Sequence, residues 1–441
     1  MSLISYASPP NNKGNTQNED IESKADKALF ELSLAELMAV RLSGQPQGYG
    51  IFQSNVNQVS DRSINLGIVV PLKKFPYSSA SVLAAADLAV NDINSNGGVA
   101  GKPLALIRAD DEHLPSLAIK LTKQLIDEHQ IFGIIGPMTS QSTLDVLSNV
   151  SIPSHTPLIT FRASASHLNK VSKNQLFYRL TPDNNRQVDL IFEELNSKDL
   201  LEKVVFIGTK DVYGQEILSG IEEKLKQNNK ALSHKLELNT LVDLNLYNMK
   251  DQIRLIERLK PTAIIIATRP DFSDIVLKKL ETYWTSQIPL ILMGDIINRK
   301  YAKEKGVGDI KQCVKYIVAK QSDEATSLLQ SKIKRIFDVT VSGNDTGYAY
   351  DSVMLFAMAK MISTYRNISF ESAMESITRE GHIINYRDYR NIIELYDKYG
   401  KLSYHGTSGK VSFDESGENL AANLSWDLLS DQTTESSLCK L

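Results

Sequence analysis

Hydrophobic and polar residues alternate along most of this chain in blocks that predict strands and helices in turn. The apolar run Ile64–Val70 predicts a buried strand, and Val82, Ala86, Ala89 and Ile93 then recur on one face at helical spacing. Further strands are predicted at Leu104–Ala109, Ile131–Ile135, Pro157–Thr160, Val204–Gly208, Ala263–Ala267 and Leu290–Met293. Further helices are predicted from a Ser116 cap to Glu128, and at Gln215–Lys226, Met249–Leu259 and Asp274–Thr285.

Strands that alternate with helices in this way predict parallel sheets with helices on both faces. The units are too many for one sheet, so two α/β lobes are expected. Ligands in such sheets bind beyond the carboxyl ends of the strands. The strand Ile131–Ile135 ends at such a point, where Gly136-Pro137 breaks it and Thr139-Ser140-Gln141 begins a helix. Backbone N–H groups there suit an anion such as a carboxylate, although most such turns only cap a helix.

Composition and charge exclude several classes of function. The 441 residues are 42% hydrophobic and 23% charged, with a net charge of −3, which is typical of a soluble globular protein and not of a nucleic-acid binder. No phosphate loop, dinucleotide fingerprint or nucleophile elbow is present, and the seven histidines form no constellation, so no enzyme is expected. A repressor with this fold would need a basic helix-turn-helix, which residues 1–60 lack.

The cysteines and the N-terminus bear on the compartment. Cys313 and Cys439 have no metal-site or redox-motif spacing. They could pair, but Cys439 lies in a polar tail, and free thiols are therefore expected. No basic and apolar signal peptide begins the chain. Either the chain is cytoplasmic, or its first residues replace a removed signal, and the resemblance described next favours the second.

Several short motifs follow one another in an order typical of a known family. They are Ala86–Asn94, Gly97–Pro103 with Asp110-Asp111, Gly136–Thr143, Asp211-Val212-Tyr213-Gly214, Gly347–Val353 and Gly409–Asp414. In this order they resemble the type I periplasmic binding proteins, and most of all the leucine/isoleucine/valine-binding (branched-chain amino acid) proteins of ABC importers. The resemblance covers roughly Ile64 to Trp426.

The resemblance implies an α/β fold of two Rossmann-like lobes with parallel sheets, joined by a three-crossing hinge. On this chain the crossings fall near Phe177–Asp183, Ile317–Gln321 and His405–Gly409. Lobe one would comprise residues 62–180 and 320–405. Lobe two would comprise residues 181–319 and 406–430. A polar N-terminal extension with one short helix, 1–61, and a C-terminal tail, 431–441, would complete the chain.

The family also implies a function. We expect an extracytoplasmic, periplasmic solute-binding protein that captures an amino acid or related carboxylate by hinged closure, without a cofactor or metal. It would deliver this ligand to the membrane permease of an ABC importer. The alternative is a ligand-sensing ectodomain or periplasmic sensor that feeds a signalling partner, which the N-terminal extension favours somewhat. The full-length gene product would distinguish the two.

Five candidate ligand-binding residues follow from the family motifs. Ser140 aligns with the serine whose hydroxyl binds the ligand α-carboxylate, and the backbone N–H groups of Gln141 and Ser142 would add donors. Ser164 falls where the family keeps a second hydroxyl. Tyr213 would close over the ligand from lobe two. For each residue the alternative is a cap or turn role.

Four further residues depart from the amino-acid binders or lie at the rim. Asp295 is the candidate partner of an α-ammonium, or else a helix cap, because the acid stands one position early. Arg162 and Arg269 would bind an additional anionic group if both face the cleft. Otherwise they form salt bridges with Asp271 or Asp295. Tyr77 is expected at the rim of the cleft in lobe one.

Overall fold

Two large, mainly parallel β-sheets with helices packed against them, and one small three-stranded sheet, form the described part of the chain. The structure is a computed structural model that describes residues 51–53, 63–172, 176–241, 243–244, 247–295, 308–319, 323–338, 341, 345–430 and 439–440. The short helix predicted in the N-terminal extension lies outside the described residues. Within these ranges, no helix combines the length and the apolar character needed to cross a membrane.

The first sheet forms the half that we call lobe one. Its strands are β1 (Ile51–Gln53), β2 (Ile64–Val70), β3 (Leu104–Asp110), β4 (Ile134–Ile135), β5 (Leu158–Thr160) and β6 (Phe177–Arg179). They lie in the order β1-β3-β2-β4-β5-β6, and only β1, from the predicted extension, is antiparallel to its neighbour. The helices between them are α1 (Pro76–Ser95), α2 (Pro115–Asp127), α3 (Ser140–Val146) and α4 (His167–Ser172).

The second sheet forms lobe two. After helix α5 (Asn184–Ser197) come the parallel strands β7 (Val204–Thr209), β8 (His234–Leu238), β9 (Ala263–Ala267), β10 (Ile288–Met293) and β11 (Val314–Ala319). The helices α6 (Val212–Gln227), α7 (Lys250–Arg258) and α8 (Pro270–Tyr283) connect them. Ile264 and Ile266 of β9 pack into one hydrophobic cluster and Ile265 into another. Because the strand is buried on both faces, its sequence is a continuous apolar run without alternation.

The chain then returns to lobe one before it enters the second sheet again. Helices α9 (Asp323–Phe337), α10 (Asp345–Arg366), α11 (Phe370–Thr378) and α12 (Ile392–Tyr399) follow, together with the strands β12 (His382–Ile384), β13 (Leu402–Gly406) and β14 (Gly409–Lys410). Helix α10 packs along α1, and the three strands form a small sheet of their own. Strand β15 (Leu424–Leu428) finally pairs antiparallel with β11 at the edge of the second sheet.

The two cysteines are bonded to each other, so the expectation of free thiols is wrong. Strand β16 (Cys439–Lys440) pairs with β10, and this pairing brings Cys439 next to Cys313, at the end of the 3₁₀ turn that precedes β11. The disulfide ties the end of the polar tail to lobe two. Both cysteines are buried, which the polar sequence around Cys439 does not indicate.

Buried polar contacts hold the chain where it passes between the sheets. The segment 411–423 runs beside β6, because the backbone N–H of Arg179 donates to the Gly417 carbonyl at 2.8 Å. The Arg179 side chain, fully buried, donates to the Glu418 carboxylate. This passage follows β13 and β14, which pair with each other in the small sheet. The predicted lobe boundaries remain a prediction.

Several predicted elements differ from the observed ones at their ends. Helix α2 begins at Pro115 without a side-chain cap, so Ser116 lies inside the helix and does not cap it. Strand β4 covers only the last two residues of the predicted Ile131–Ile135. The motif Gly409–Asp414 forms only the two-residue strand β14. Strand β8 and helix α5 were not predicted.

Candidate functional site

The predicted ligand-binding residues lie where strands of the two sheets end, in the loops and first helical turns that follow their carboxyl ends. Arg162 and Ser164 lie in the loop after β5, and Arg269 and Asp295 lie in the loops after β9 and β10. Ser140 to Ser142 and Tyr213 lie in the first turns of α3 and α6, the helices that follow β4 and β7. Tyr77 lies at the start of α1, after β2, but its side chain is outside the described set. This is the edge at which open α/β sheets bind ligands.

Internal hydrogen bonds already use several polar groups of the turn at Ser140. Thr139 is the N-cap of α3, and its hydroxyl accepts the N–H of Ser142 at 3.2 Å. The Ser140 hydroxyl is buried and accepts the N–H of Ala165 at 3.2 Å. The Gln141 amide donates to both oxygens of Asp145 at 3.1 Å. Because a hydroxyl that accepts a hydrogen bond can still donate its proton, Ser140 retains a donor for a carboxylate.

Arg162 is paired within lobe one, and its partner is not one that the sequence suggested. Its Nη1 donates to Asp345 Oδ2 at 2.5 Å and to Ser78 Oγ at 3.0 Å. Asp345 is the first residue of α10, and both side chains remain partly exposed. The guanidinium therefore carries a local counter-charge, while its remaining N–H groups can serve a ligand.

Tyr213, Gln187 and Asp295 form a second polar group in lobe two. The Tyr213 hydroxyl is buried and donates to Gln187 Oε1 at 3.2 Å, and the Asp295 backbone N–H approaches the same oxygen at 3.3 Å. Loss of hydration raises the pKa of Asp295 to about 6, while the positive charge of Arg162 opposes this rise. Since Arg162 belongs to lobe one, this carboxyl and that guanidinium are within electrostatic reach across the lobes.

Arg269 forms the salt bridge that the sequence offered as its alternative role. Its Nε and Nη2 donate to the two carboxylate oxygens of Asp271 at 3.2 and 2.8 Å. Lys74 of lobe one lies 3.5 Å from the same carboxylate and so links the lobes. His113 is nearby, and burial followed by the charge of Arg269 lowers its pKa to about 4. The imidazole is therefore neutral at pH 7.

Ser164 lies at the junction of the two lobes. It is 2% exposed, and its carbonyl accepts the N–H of Asn184, the first residue of α5, at 2.7 Å. The Ser140 bond to Ala165 brings the Ser140 turn against the same loop. The structure thus brings Ser140, Ser164 and Arg162 together through one loop, whereas Gln141 turns its side chain along α3.

The sequence analysis did not identify three residues of this region: Asp345, Gln187 and Lys74. An acid just before the helical motif Gly347–Val353 is a usable signal for Asp345, because acids favour helix N-termini. Gln187 lies on the unpredicted helix α5, and no pattern marks Lys74.

The region offers charges of both signs to one small molecule. Arg162 and Asp345 lie on one side, Asp295 and Tyr213 on the other, with the Ser140 hydroxyl beside the Arg162 loop.

Comparison with family models identifies one family. A family model described as periplasmic binding protein matches residues 63–380. An amino acid binding protein of Pseudomonas aeruginosa is 28% identical over 145 residues, which cover 32% of this chain and 37% of that protein. The chain therefore aligns with less than two fifths of that curated relative.

Solved structures extend the likeness over most of the chain. The branched-chain amino acid transporter substrate-binding protein LivJ of Streptococcus pneumoniae, in complex with isoleucine, has a TM-score of 0.64 and 16% identity, covering 83% of this chain and 100% of that one. An ABC transporter solute-binding protein of R. palustris, in complex with benzoate, has a TM-score of 0.66 and 14% identity, covering 84% and 94%. At these identities the likeness concerns the fold.

Proposed function

Because this chain belongs to the periplasmic binding protein family, we propose that it is an extracytoplasmic solute-binding protein with a small polar ligand. The ligand is an amino acid or related carboxylate, bound in the cleft between the lobes and delivered to the membrane permease of an ABC importer. The match of the family model over 63–380 and the two-lobe fold support this proposal.

The observation that carries the proposal is the placement of opposite charges at strand ends of the two lobes, with Arg162 after β5 and Asp295 after β10. Arg162 of lobe one is close enough to influence the pKa of Asp295 in lobe two. A zwitterion placed between them would satisfy both charges at once. Charge-assisted hydrogen bonds contribute about 1.5–3 kcal/mol each. Two or three of them would supply the roughly 5 kcal/mol that shifts a hinged protein from mostly open to mostly closed.

Six of the nine predicted residues have a role in this proposal. Ser140 and Ser164 donate to the ligand carboxylate together with the Gln141 backbone N–H, and Ser142 helps to shape the turn through its bond to Thr139. Asp295 accepts from the ligand ammonium. Tyr213 covers the ligand from lobe two.

The two arginines favour a ligand with one carboxylate. Arg269 is bound at both oxygens of Asp271, and Arg162 is bound to Asp345. A dicarboxylate would have to compete with these internal carboxylates for the guanidinium groups, and burying the displaced carboxylate would be costly.

A thermal-shift screen with four compound classes tests the ligand. Neutral amino acids, dicarboxylates, aromatic acids and small amides are added to the protein, because a ligand of the native state raises its melting temperature by mass action. Neutral amino acids should raise it, and Ser140→Ala and Asp295→Asn should remove the shift. The matched controls Ser219→Ala and Asp251→Asn, at exposed helix positions of lobe two, should keep it. If no compound shifts the melting temperature, this proposal fails.

Delivery and compartment need separate measurements. Deleting the gene should abolish uptake of the compound found in the screen, whereas normal uptake would leave a sensor role for the protein. The disulfide between Cys313 and Cys439 supports an oxidising compartment such as the periplasm. Cell fractionation should recover the protein with periplasmic markers, and recovery with cytoplasmic markers would contradict this localisation.

A further inference from the structure

The loop from Ser164 to His167 is hydrogen-bonded from both lobes. Three successive backbone N–H groups of this loop donate to side chains: Ala165 to Ser140 Oγ at 3.2 Å, Ser166 to Glu216 Oε2 at 2.7 Å and His167 to Glu216 Oε1 at 2.9 Å. Ser140 belongs to lobe one, but Glu216 lies on α6 of lobe two. One carboxylate of lobe two therefore binds two adjacent amides of lobe one.

Glu216 has a third donor at the point where the chain first crosses. Asn184 Nδ2 donates to Glu216 Oε2 at 3.0 Å, and Asn184 is 1% exposed. The same residue donates its backbone N–H to the Ser164 carbonyl. Both oxygens of this carboxylate are thus used, and its partners surround the loop that carries Ser164.

We propose that Glu216 is a positioning residue that couples the conformation of this loop to closure of the lobes. Glu216 follows Tyr213 by three residues on α6, so both side chains project from neighbouring places on one helix face. A rotation of lobe two moves the cover residue Tyr213 and the Glu216 carboxylate together. When the lobes separate, the carboxylate leaves the Ser166 and His167 amides, and the Ser164 loop loses the partners that order it.

Charge-assisted bonds from one carboxylate to two amides are among the stronger hydrogen bonds in proteins. They exist in this form only while the two lobes are in contact here. They therefore favour the closed arrangement even before a ligand adds its own contacts. An effect of Glu216 on ligand affinity rests on the proposed function. Its effect on the separation of the lobes does not.

Spin-label distances in the ligand-free, full-length protein test this coupling. Labels attached through Lys123→Cys on α2 and Lys226→Cys on α6 report the separation of the lobes, because both positions are exposed and Cys313 and Cys439 are occupied in their disulfide. Pulsed double electron–electron resonance then gives the populations at the separation of this structure and at longer ones. The labelled background is compared with Glu216→Ala, Glu216→Gln and the matched control Glu223→Ala, an exposed position on the same helix.

The expected result is at least a tenfold fall in the ratio of short to long separations for Glu216→Ala. Glu216→Gln should be intermediate, because its amide keeps one acceptor oxygen, while its NH2 group is a donor and cannot accept the other backbone N–H. Glu223→Ala should match the background. A folded Glu216→Ala protein with an unchanged distribution would overturn the proposal, and so would a background with long separations only.

If Glu216→Ala does not fold, Glu216→Gln becomes the test. A distance distribution of Glu216→Gln that equals the background would overturn the proposal as well. No ligand enters this measurement. A failed ligand screen would therefore leave the result for Glu216 standing, and an unchanged distance distribution would leave the proposed ligand class standing.

Discussion

Replacing Arg179 by methionine should destabilise the passage between the lobes by about 3–5 kcal/mol, the range expected when one partner of a buried ion pair is removed. Arg179 is fully buried and Glu418 is 8% exposed. The guanidinium donates from Nε and Nη2 to Glu418 Oε2, and from Nη1 to the Ala165 carbonyl at 2.6 Å. Methionine fills similar apolar volume but donates nothing, so a carboxylate and a carbonyl lose their donors together.

The size of this effect should depend on pH. Burial raises the pKa of Glu418, and Arg179 opposes that rise. Without Arg179 the pKa must rise further, so the variant can take up a proton that the unfolded chain does not bind. When the pKa of a carboxyl is higher in the folded state than in the unfolded state, the group stabilises the fold at pH values below the unfolded pKa. This contribution is lost as the pH rises towards the folded pKa. The deficit of Arg179→Met should therefore shrink when the pH is lowered.

Urea unfolding followed by circular dichroism measures the free energy of unfolding. The double variant Arg179→Met, Glu418→Leu should recover much of the loss, because no charge is then left buried alone. The matched control is Lys230→Met, which breaks a surface pair with Glu202 and should cost less than about 1 kcal/mol. A cost for Arg179→Met no larger than that control, or a double variant no more stable than the single one, would refute the reasoning.

Three further predictions concern single positions. Burial raises the pKa of Asp111 from 3.8 to about 7, so the wild type should lose stability as the pH rises through this window. Asp111→Asn should be more stable than the wild type at pH 8, by up to about 4 kcal/mol at roughly 1.4 kcal/mol per pKa unit. Below pH 4 it should be no more stable than the wild type. Urea melts at several pH values measure this difference. A Cβ at Gly294 would lie 1.8 Å from the Tyr213 hydroxyl, so Gly294→Ala should displace the tyrosine ring. Ligand binding measured by calorimetry should weaken at least tenfold, and an unchanged affinity would contradict this prediction. Cys439→Ser should lower the free energy of unfolding by about 2–5 kcal/mol, because the disulfide to Cys313 is lost. When the unfolded wild type is alkylated without reduction, mass spectra should show neither cysteine modified.

The central strands could be predicted because burial on both faces leaves an uninterrupted apolar run. The prediction of Ala263–Ala267 agrees with the structure at both ends. Strand β8 was missed because it pairs on one side only, and its residues Lys235 and Glu237 interrupt the apolar pattern. The family prediction is confirmed by the model match over 63–380.

The position of the candidate site could be predicted, but its pairings could not. Motifs place Ser140 and Tyr213 at strand ends, and parallel topology brings such ends to one edge. The Arg162 partner, Asp345, stands 183 residues further along the chain, and no local pattern joins the two. The disulfide joins positions 126 residues apart for the same reason. Such pairs depend on the packing of α10 and β16, which periodicity does not specify.

The pairing of β11 with β15 has a consequence for the order in which the protein is made. Strand β11 reaches its antiparallel neighbour only when Leu424–Leu428 has left the ribosome, since Lys315 pairs with Leu428. The strands of the first sheet, β1 to β6, all precede residue 180 and can pair while synthesis continues. Lobe two must instead wait with one strand edge unpaired. Long-range pairing of this kind is slow and leaves a nascent chain prone to aggregation. Lobe two therefore completes its sheet only after nearly the whole chain has been synthesised.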